Sequence, residues 1–136
     1  MSGEESYELL GFDHVLVPVG ELAEAVEFYE RAGFAVGFRL DEAGIALLKV
    51  GDEAPGILLR VEEGFGHRPP VWPSPRVWLE VPDARVTARR LAEGGVGLLD
   101  EPFPTATGWV VEITDPWGNV TGFTDYAKRP ELARRP

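Results

Sequence analysis

At 136 residues the chain has the length of a single domain and leaves no room for a second catalytic one. Its 23 acidic residues against 13 basic ones give a net charge of −10, so a polyphosphate partner would meet repulsion, which argues against nucleic-acid binding. The absence of cysteine removes disulfides, thiolate nucleophiles and thiolate metal sites, and no apolar run approaches the ~20 residues that cross a bilayer.

The acidic opening Met1-Ser-Gly-Glu-Glu lacks the basic flank and apolar core of a secretion signal, so a cytoplasmic protein without a membrane partner is expected. Alternating apolar residues follow at Val15, Val17 and Val19, the period of a strand with one buried face. Helical spacing then takes over at Leu22, Ala25, Val26 and Tyr29, with Gly33 where a left-handed helix end prefers glycine. Gly20 suggests a loose start to this helix. Three short strands are expected at 34–40, 45–50 and 57–61, separated by Asp41-Glu-Ala-Gly44 and Gly51-Asp-Glu-Ala-Pro-Gly56. The proline-rich stretch Glu62 to Pro75 reads as a link, with His67 exposed on it.

After the link the pattern repeats. His14-Val-Leu-Val-Pro-Val-Gly-Glu21 lies without a gap over Arg76-Val-Trp-Leu-Glu-Val-Pro-Asp83, a constant shift of 62 positions that continues to Phe34 over Val96. A second strand carries Val77, Leu79 and Val81, and Asp83 is placed to cap a second helix whose stripe is Ala84, Ala88 and Leu91, ending at Gly95. Further strands are expected at 96–101, 109–113 and 120–123. The chain is therefore an α+β domain over 1–136, made of two βαβββ modules at 11–68 and 75–127, with a C-terminal tail at 128–136 that is expected to fray or to pack lightly on a neighbour. Each sheet has one face under its own helix and one left open, so pairing of units around a cup is expected.

Two local marks accompany the repeat: Phe12-Asp-His-Val-Leu-Val-Pro-Val-Gly20 leading into Ala25-Val-Glu-Phe-Tyr-Glu-Arg-Ala-Gly-Phe34, and Asp115-Pro-Trp-Gly-Asn-Val-Thr-Gly-Phe-Thr-Asp-Tyr126. With them the chain resembles the vicinal oxygen chelate superfamily of glyoxalase I, extradiol dioxygenases and bleomycin resistance proteins, over about residues 11 to 127. The resemblance implies a cup-shaped, incompletely closed mixed barrel, commonly formed by two chains. It also implies, for metal-using members, one ligand on each of four strands: His or Gln on the first strand of each module and Glu on the last. His14 matches the first of these positions. Arg76 stands at the second, Gly122 where the closing strand would carry glutamate, and the 62-residue shift takes that position back to Arg60, or to Leu59 with a slip of one. Arginine offers only donors and a fixed positive charge, so no metal and no cofactor are expected.

Alternation places His14, Leu16, Pro18, Leu58 and Arg60 on the open face of the first sheet, and Arg76, Trp78, Glu80, Val120, Gly122 and Thr124 on that of the second. His14, Leu16, Leu58, Arg60, Arg76, Trp78, Glu80, Gly122 and Thr124 are the candidate ligand contacts. Trp78 either stacks on a planar ligand or fills core volume, and Trp109 and Trp117 join it if they approach the rim. Phe38, Phe65, Trp72 and Phe103 are candidates for the mouth. A buried guanidinium needs an anion: for Arg76 the simplest partner is Glu80 on the same strand face, the competing one an acidic group on a ligand.

Two functions follow. The first is metal-independent capture of a small aromatic or amphipathic antibiotic or metabolite, in the manner of bleomycin resistance proteins, in a homodimer. The second is an enzyme of lyase, isomerase or dioxygenase type with His14 or Glu80 as acid or base. A metal-dependent glyoxalase or dioxygenase conflicts with three of the four ligand positions.

Overall fold

The alternation over 14–19 and the helical stripe that follows it build a strand and a helix that close on each other. In the computed structural model, which describes residues 7–134, β1 (His14–Val19) leads through α1 (Leu22–Arg31) to β2 (Val36–Leu40), β3 (Ile45–Val50) and β4 (Glu53–Val61). β4 returns parallel to β1 and antiparallel to β3, giving the order β1-β4-β3-β2. The second half repeats the arrangement with β5 (Val77–Glu80), α2 (Ala84–Glu93), β6 (Phe103–Pro104), β7 (Trp109–Thr114) and β8 (Val120–Thr124), in the order β5-β8-β7-β6. The result is the expected α+β architecture, two mixed four-stranded sheets each with one helix. The sheets are not closed into a barrel. Among the described residues no helix is long and apolar enough to cross a membrane.

The expected stripes are the ones buried. Leu22, Ala25, Val26 and Tyr29 of α1 pack on Val17, Val19, Leu48, Ile57 and Leu59, and one core continues into Ala88, Leu91, Val111, Ile113 and Phe123 of the second half. Each large apolar side chain so buried stabilises the fold by about 1.5–3 kcal/mol. The seam between halves is also polar at one point. Asp115, 4% exposed, accepts from the Tyr29 hydroxyl at 2.7 Å, from the backbone of Trp117 and Asn119 at 2.9 Å each, and from the Asn119 amide at 2.8 Å. The same amide donates to the Pro18 carbonyl of β1 at 2.8 Å. Burial first, and then the Asp115 charge, push the Tyr29 phenol far above the usual tyrosine range.

α2 is fixed from both ends of its first turn. Asp83 caps it as expected, accepting from Arg85 and Val86, and the buried Asp125 accepts from Ala84 at 2.7 Å, Trp109 at 2.9 Å and Ala127 at 3.1 Å. Desolvation works against ionisation of Asp125, yet the three N–H donors and the nearby Arg85 outweigh it and hold the carboxyl below its ordinary pKa.

Several expectations are corrected. α1 does not start loosely: Glu21 accepts from Ala23 and Glu24, and Gly20 is bare because any Cβ there would run into the Phe65 carbonyl and come within 2.5 Å of the Trp117 indole nitrogen. Only Gly51-Asp52 turns between β3 and β4, so residues 53–56 are strand rather than loop. No strand forms over 96–101; Leu98 makes a lone bridge to Ile113, and the edge strand is the short Phe103–Pro104. Pro102 and Pro104 lack the N–H donors that a longer ladder would use. Nor does the tail fray as far as it is described. Lys128 bonds to the carbonyls of Thr105 and Thr107, and Arg134 to two carboxylates; residues 135 and 136 lie outside the described chain.

Candidate ligand-binding face

The face of each sheet away from its helix is turned to solvent, and the two faces differ in chemistry. Across the first sheet the register aligns Leu16, Leu58, Leu47 and Phe38 in one row, and Pro18, Arg60, Ile45 and Leu40 in the next. Leu16 is 54% exposed, Phe38 43% and Leu40 44%, so this is an apolar surface open to water. Arg60 sits on it as expected, but with more than half its side chain in solvent and a loose 3.5 Å pairing to Glu62. It carries no desolvation penalty that a ligand would have to relieve.

The second sheet aligns Trp78, Gly122 and Glu112 across three strands. β5 and β7 are two strand spacings apart, roughly 10 Å, and the indole of Trp78 crosses that gap over Gly122 to donate its Nε1 proton to Glu112 Oε2 at 2.8 Å. A Cβ on Gly122 would stand 2.6 Å from Trp78 Nε1 and nearer still to Cδ1. Gly122 is thus bare because the indole lies on it. Glu112 is buried, and Arg76 Nη1 donates to both its oxygens, at 2.9 and 3.0 Å. The far side of the guanidinium lies 4.5 Å from the ring centroid of Trp72, in cation–π contact. Trp78 is 44% exposed and Phe103, 6.4 Å from it, 37%. The face therefore offers an aromatic patch, Trp72, Trp78 and Phe103, around one neutralised ion pair.

Glu112 corrects the expected partner of Arg76. Glu80 instead receives Arg134 at 2.6 Å, and it shares a row with Thr124 and Val110. Glu80 lies four residues along the strand from Arg76, roughly 13 Å, whereas Glu112 is brought to it across the sheet from β7, beyond β8, and the sequence did not disclose the β7 register. The constant shift of 62 also fails on the closing strand. Leu16 pairs with Leu58 and its counterpart Trp78 with Gly122, so Gly122 lies over Leu58, two residues from Arg60 and one from Leu59.

His14 lies on the open side of β1 with Nδ1 buried and unbonded, and its Nε2 is 3.9 Å from Asp13. Among the described residues no hydrogen bond fixes its tautomer, as a catalytic histidine requires. Three of the tryptophans expected near the rim separate. Trp117 is 2% exposed, in the core, and Trp109 lies under Arg85 of α2 at 4.5 Å, on the helix side. Trp72 is the one from the link that reaches the open face. Phe65 carries the Arg68 guanidinium at 3.9 Å, and His67, exposed as expected, pairs with Glu24 at 2.9 Å.

A divalent ion does not fit the residues present. Among the described residues no three His, Asp or Glu side chains converge. Glu112, the one carboxylate buried on the face, spends its lone pairs on Arg76 and Trp78, and the bulk of Trp78 fills the space beside Gly122.

Comparison with known proteins completes the description. The sequence model of the Glyoxalase/Bleomycin resistance protein/Dioxygenase superfamily matches residues 11–123. A glyoxalase family protein from Bacillus anthracis superposes with a TM-score of 0.70 at 23% identity, covering 89% of this chain and 98% of that one. A glyoxalase/bleomycin resistance protein/dioxygenase from Alicyclobacillus acidocaldarius gives 0.68 at 15% identity, with 91% and 97% covered. A lactoylglutathione lyase from Agrobacterium tumefaciens gives 0.65 at 15% identity, with 88% and 96% covered. At these identities the likeness is one of fold. No curated protein sequence matches the chain.

Proposed function

The chain belongs to the glyoxalase/bleomycin resistance protein/dioxygenase superfamily, and from that premise we propose that it is a metal-independent binding protein that captures a small planar molecule in a cup formed where the open faces of two chains meet. The observation that carries this reading is the bridge of Trp78 over Gly122 to Glu112. It puts a half-exposed aromatic plate and an internally neutralised ion pair where metal-using relatives are expected to hold their ion. The charge of Arg76 is already balanced by Glu112, which leaves only its buried Nε proton unbonded, so the face selects for stacking area and a neutral acceptor rather than for an acidic group. The apolar rows of Leu16, Leu58, Leu47 and Phe38 supply the facing wall, and covering them removes apolar surface from water in the same step. Function on this reading is stoichiometric capture, set by affinity and abundance.

The test is intrinsic tryptophan fluorescence during titration with a panel of planar antibiotics and aromatic metabolites, on protein whose metal content is measured in the same sample. Saturable quenching at one ligand per cup, unchanged by chelator and abolished by Trp78→Ala, is the expected result. No response from any compound, together with one divalent ion per chain, would replace this reading with metal chemistry. Sedimentation of the same sample is expected to show a dimer.

A further inference from the structure

Where the second copy should have its next strand, the chain leaves the sheet instead. Leu99 donates its N–H to the Glu112 carbonyl at 2.8 Å, but Asp100 then turns its carboxylate onto the N–H of Glu101, at 2.7 Å, and Pro102 has no N–H to give. Between this segment and α2 lies an open groove of about 590 Å³, within the range of small-molecule sites. Positions 85, 88, 89 and 92 of α2 share one helix face. Arg85 and Arg89 bring two guanidinium groups to the groove, and Ala88 a small apolar floor. Asp100 and Glu101 line the other wall, alongside Leu98 and Pro102.

Two charges of each sign thus border one groove, and among the described residues no ion pair joins the walls. Two of the four are anchored apart. Arg85 lies over the Trp109 ring at 4.5 Å, with Asp125 nearby, and Asp100 is held by the Glu101 N–H. The first copy is built differently: the shift of 62 puts Glu27 at the place of Arg89 and Arg39 at that of Glu101, and β2 pairs there with β3. We infer that this groove is a second binding site, on the helix side and apart from the cup face, for a small zwitterion with an apolar side chain, of the amino acid or dipeptide class. Its carboxylate lies against Arg85 and Arg89, whose planar groups suit a carboxylate, its ammonium against Asp100 and Glu101, and its side chain on Ala88, Leu98 and Pro102. The four wall charges sum to zero, so a simple anion or cation gains at one wall what it loses at the other. A zwitterion gains at both.

Nitrogen-15 NMR on the full-length protein tests this by titration with leucine, leucyl-leucine, N-acetylleucine and leucinamide, followed at the amides of 98–101 and of α2. Saturable shifts there are expected with leucine and leucyl-leucine, the tighter of the two giving the length of the ligand. N-acetylleucine, which lacks the ammonium, and leucinamide, which lacks the carboxylate, should bind about fivefold more weakly, the upper end for a solvent-facing ion pair. Arg89→Gln should weaken leucine and N-acetylleucine but not leucinamide, and Glu101→Gln should weaken leucine and leucinamide but not N-acetylleucine. Both side chains are exposed, so neither change disturbs the core. Equal affinity for all four compounds, or shifts at the Trp78 indole and not along α2, overturns the proposal. So does a lack of saturation with every compound at its solubility limit, or unchanged affinities in both variants.

Discussion

Replacing Gly122 with alanine should act almost wholly through Trp78. The added Cβ would stand 2.6 Å from the indole nitrogen, so the ring must leave the strand and its 2.8 Å hydrogen bond to Glu112. A hydrogen bond to a charged group contributes about 1.5–3 kcal/mol. Against that, alanine in place of glycine narrows the unfolded ensemble and returns about 0.4–1 kcal/mol where the backbone is compatible; Gly122 is among the glycines whose φ is not positive. The net expectation is a loss of about 1–2 kcal/mol in the wild type. In a Trp78→Ala background the clash has no partner, and Gly122→Ala should be neutral or stabilising by up to about 1 kcal/mol. Urea unfolding followed by far-ultraviolet circular dichroism, which chiefly reports the backbone, measures all four proteins and yields a coupling of about 1–3 kcal/mol. An equal effect of Gly122→Ala in both backgrounds would refute the idea that the glycine exists to seat the indole.

Glu112→Gln should destabilise by about 3 kcal/mol because it leaves the Arg76 charge without its counter-ion, and adding Arg76→Met should recover most of that in the same urea assay. Tyr29 is held protonated in the fold, so its contribution is complete below the ordinary tyrosine pKa of about 10 and is lost as the pH rises above it. Between pH 10 and 11 wild-type stability should therefore fall by about 1 kcal/mol more than that of Tyr29→Phe, since the unfolded-state phenol is already half ionised at the start of that interval. Asp125 has the opposite sign. Its depressed pKa stabilises the fold above about pH 4 and the stabilisation fades as the pH falls, so Asp125→Asn should flatten the acid limb of a stability-versus-pH curve.

The strands and helices were legible because their periods are fixed by burial: Val17 and Val19, or Leu22, Ala25, Val26 and Tyr29, have no other use for their spacing. The repeat located β5 and α2 without help from the first half's structure, and the alternation put Trp78, Arg76 and Gly122 on one face. What could not be read was anything set by the pairing of strands distant in sequence. Glu112 reached Arg76 only through the register of β7 against β8, and the two-residue slip of β8 against β4 made Leu58, not Arg60, the counterpart of Gly122. The cap at Glu21 was missed because glutamate is an unusual capping residue. The failed strand at 96–101 left no such mark: Val96, Leu98 and Leu99 read as an apolar run, yet only Leu98 and Leu99 pair with β7.

The hydrogen bond from Tyr29 to Asp115 spans 86 residues of chain, and the Phe34 ring next to it meets Phe123 at 6.1 Å. During synthesis the first half therefore leaves the ribosome with a phenol and aromatic side chains whose partners have not yet been made. Its four strands can pair by themselves, but that surface stays wet until the Asp115–Asn119 turn and β8 arrive. The two halves, however alike, share one core, so neither buries its own apolar face fully without the other.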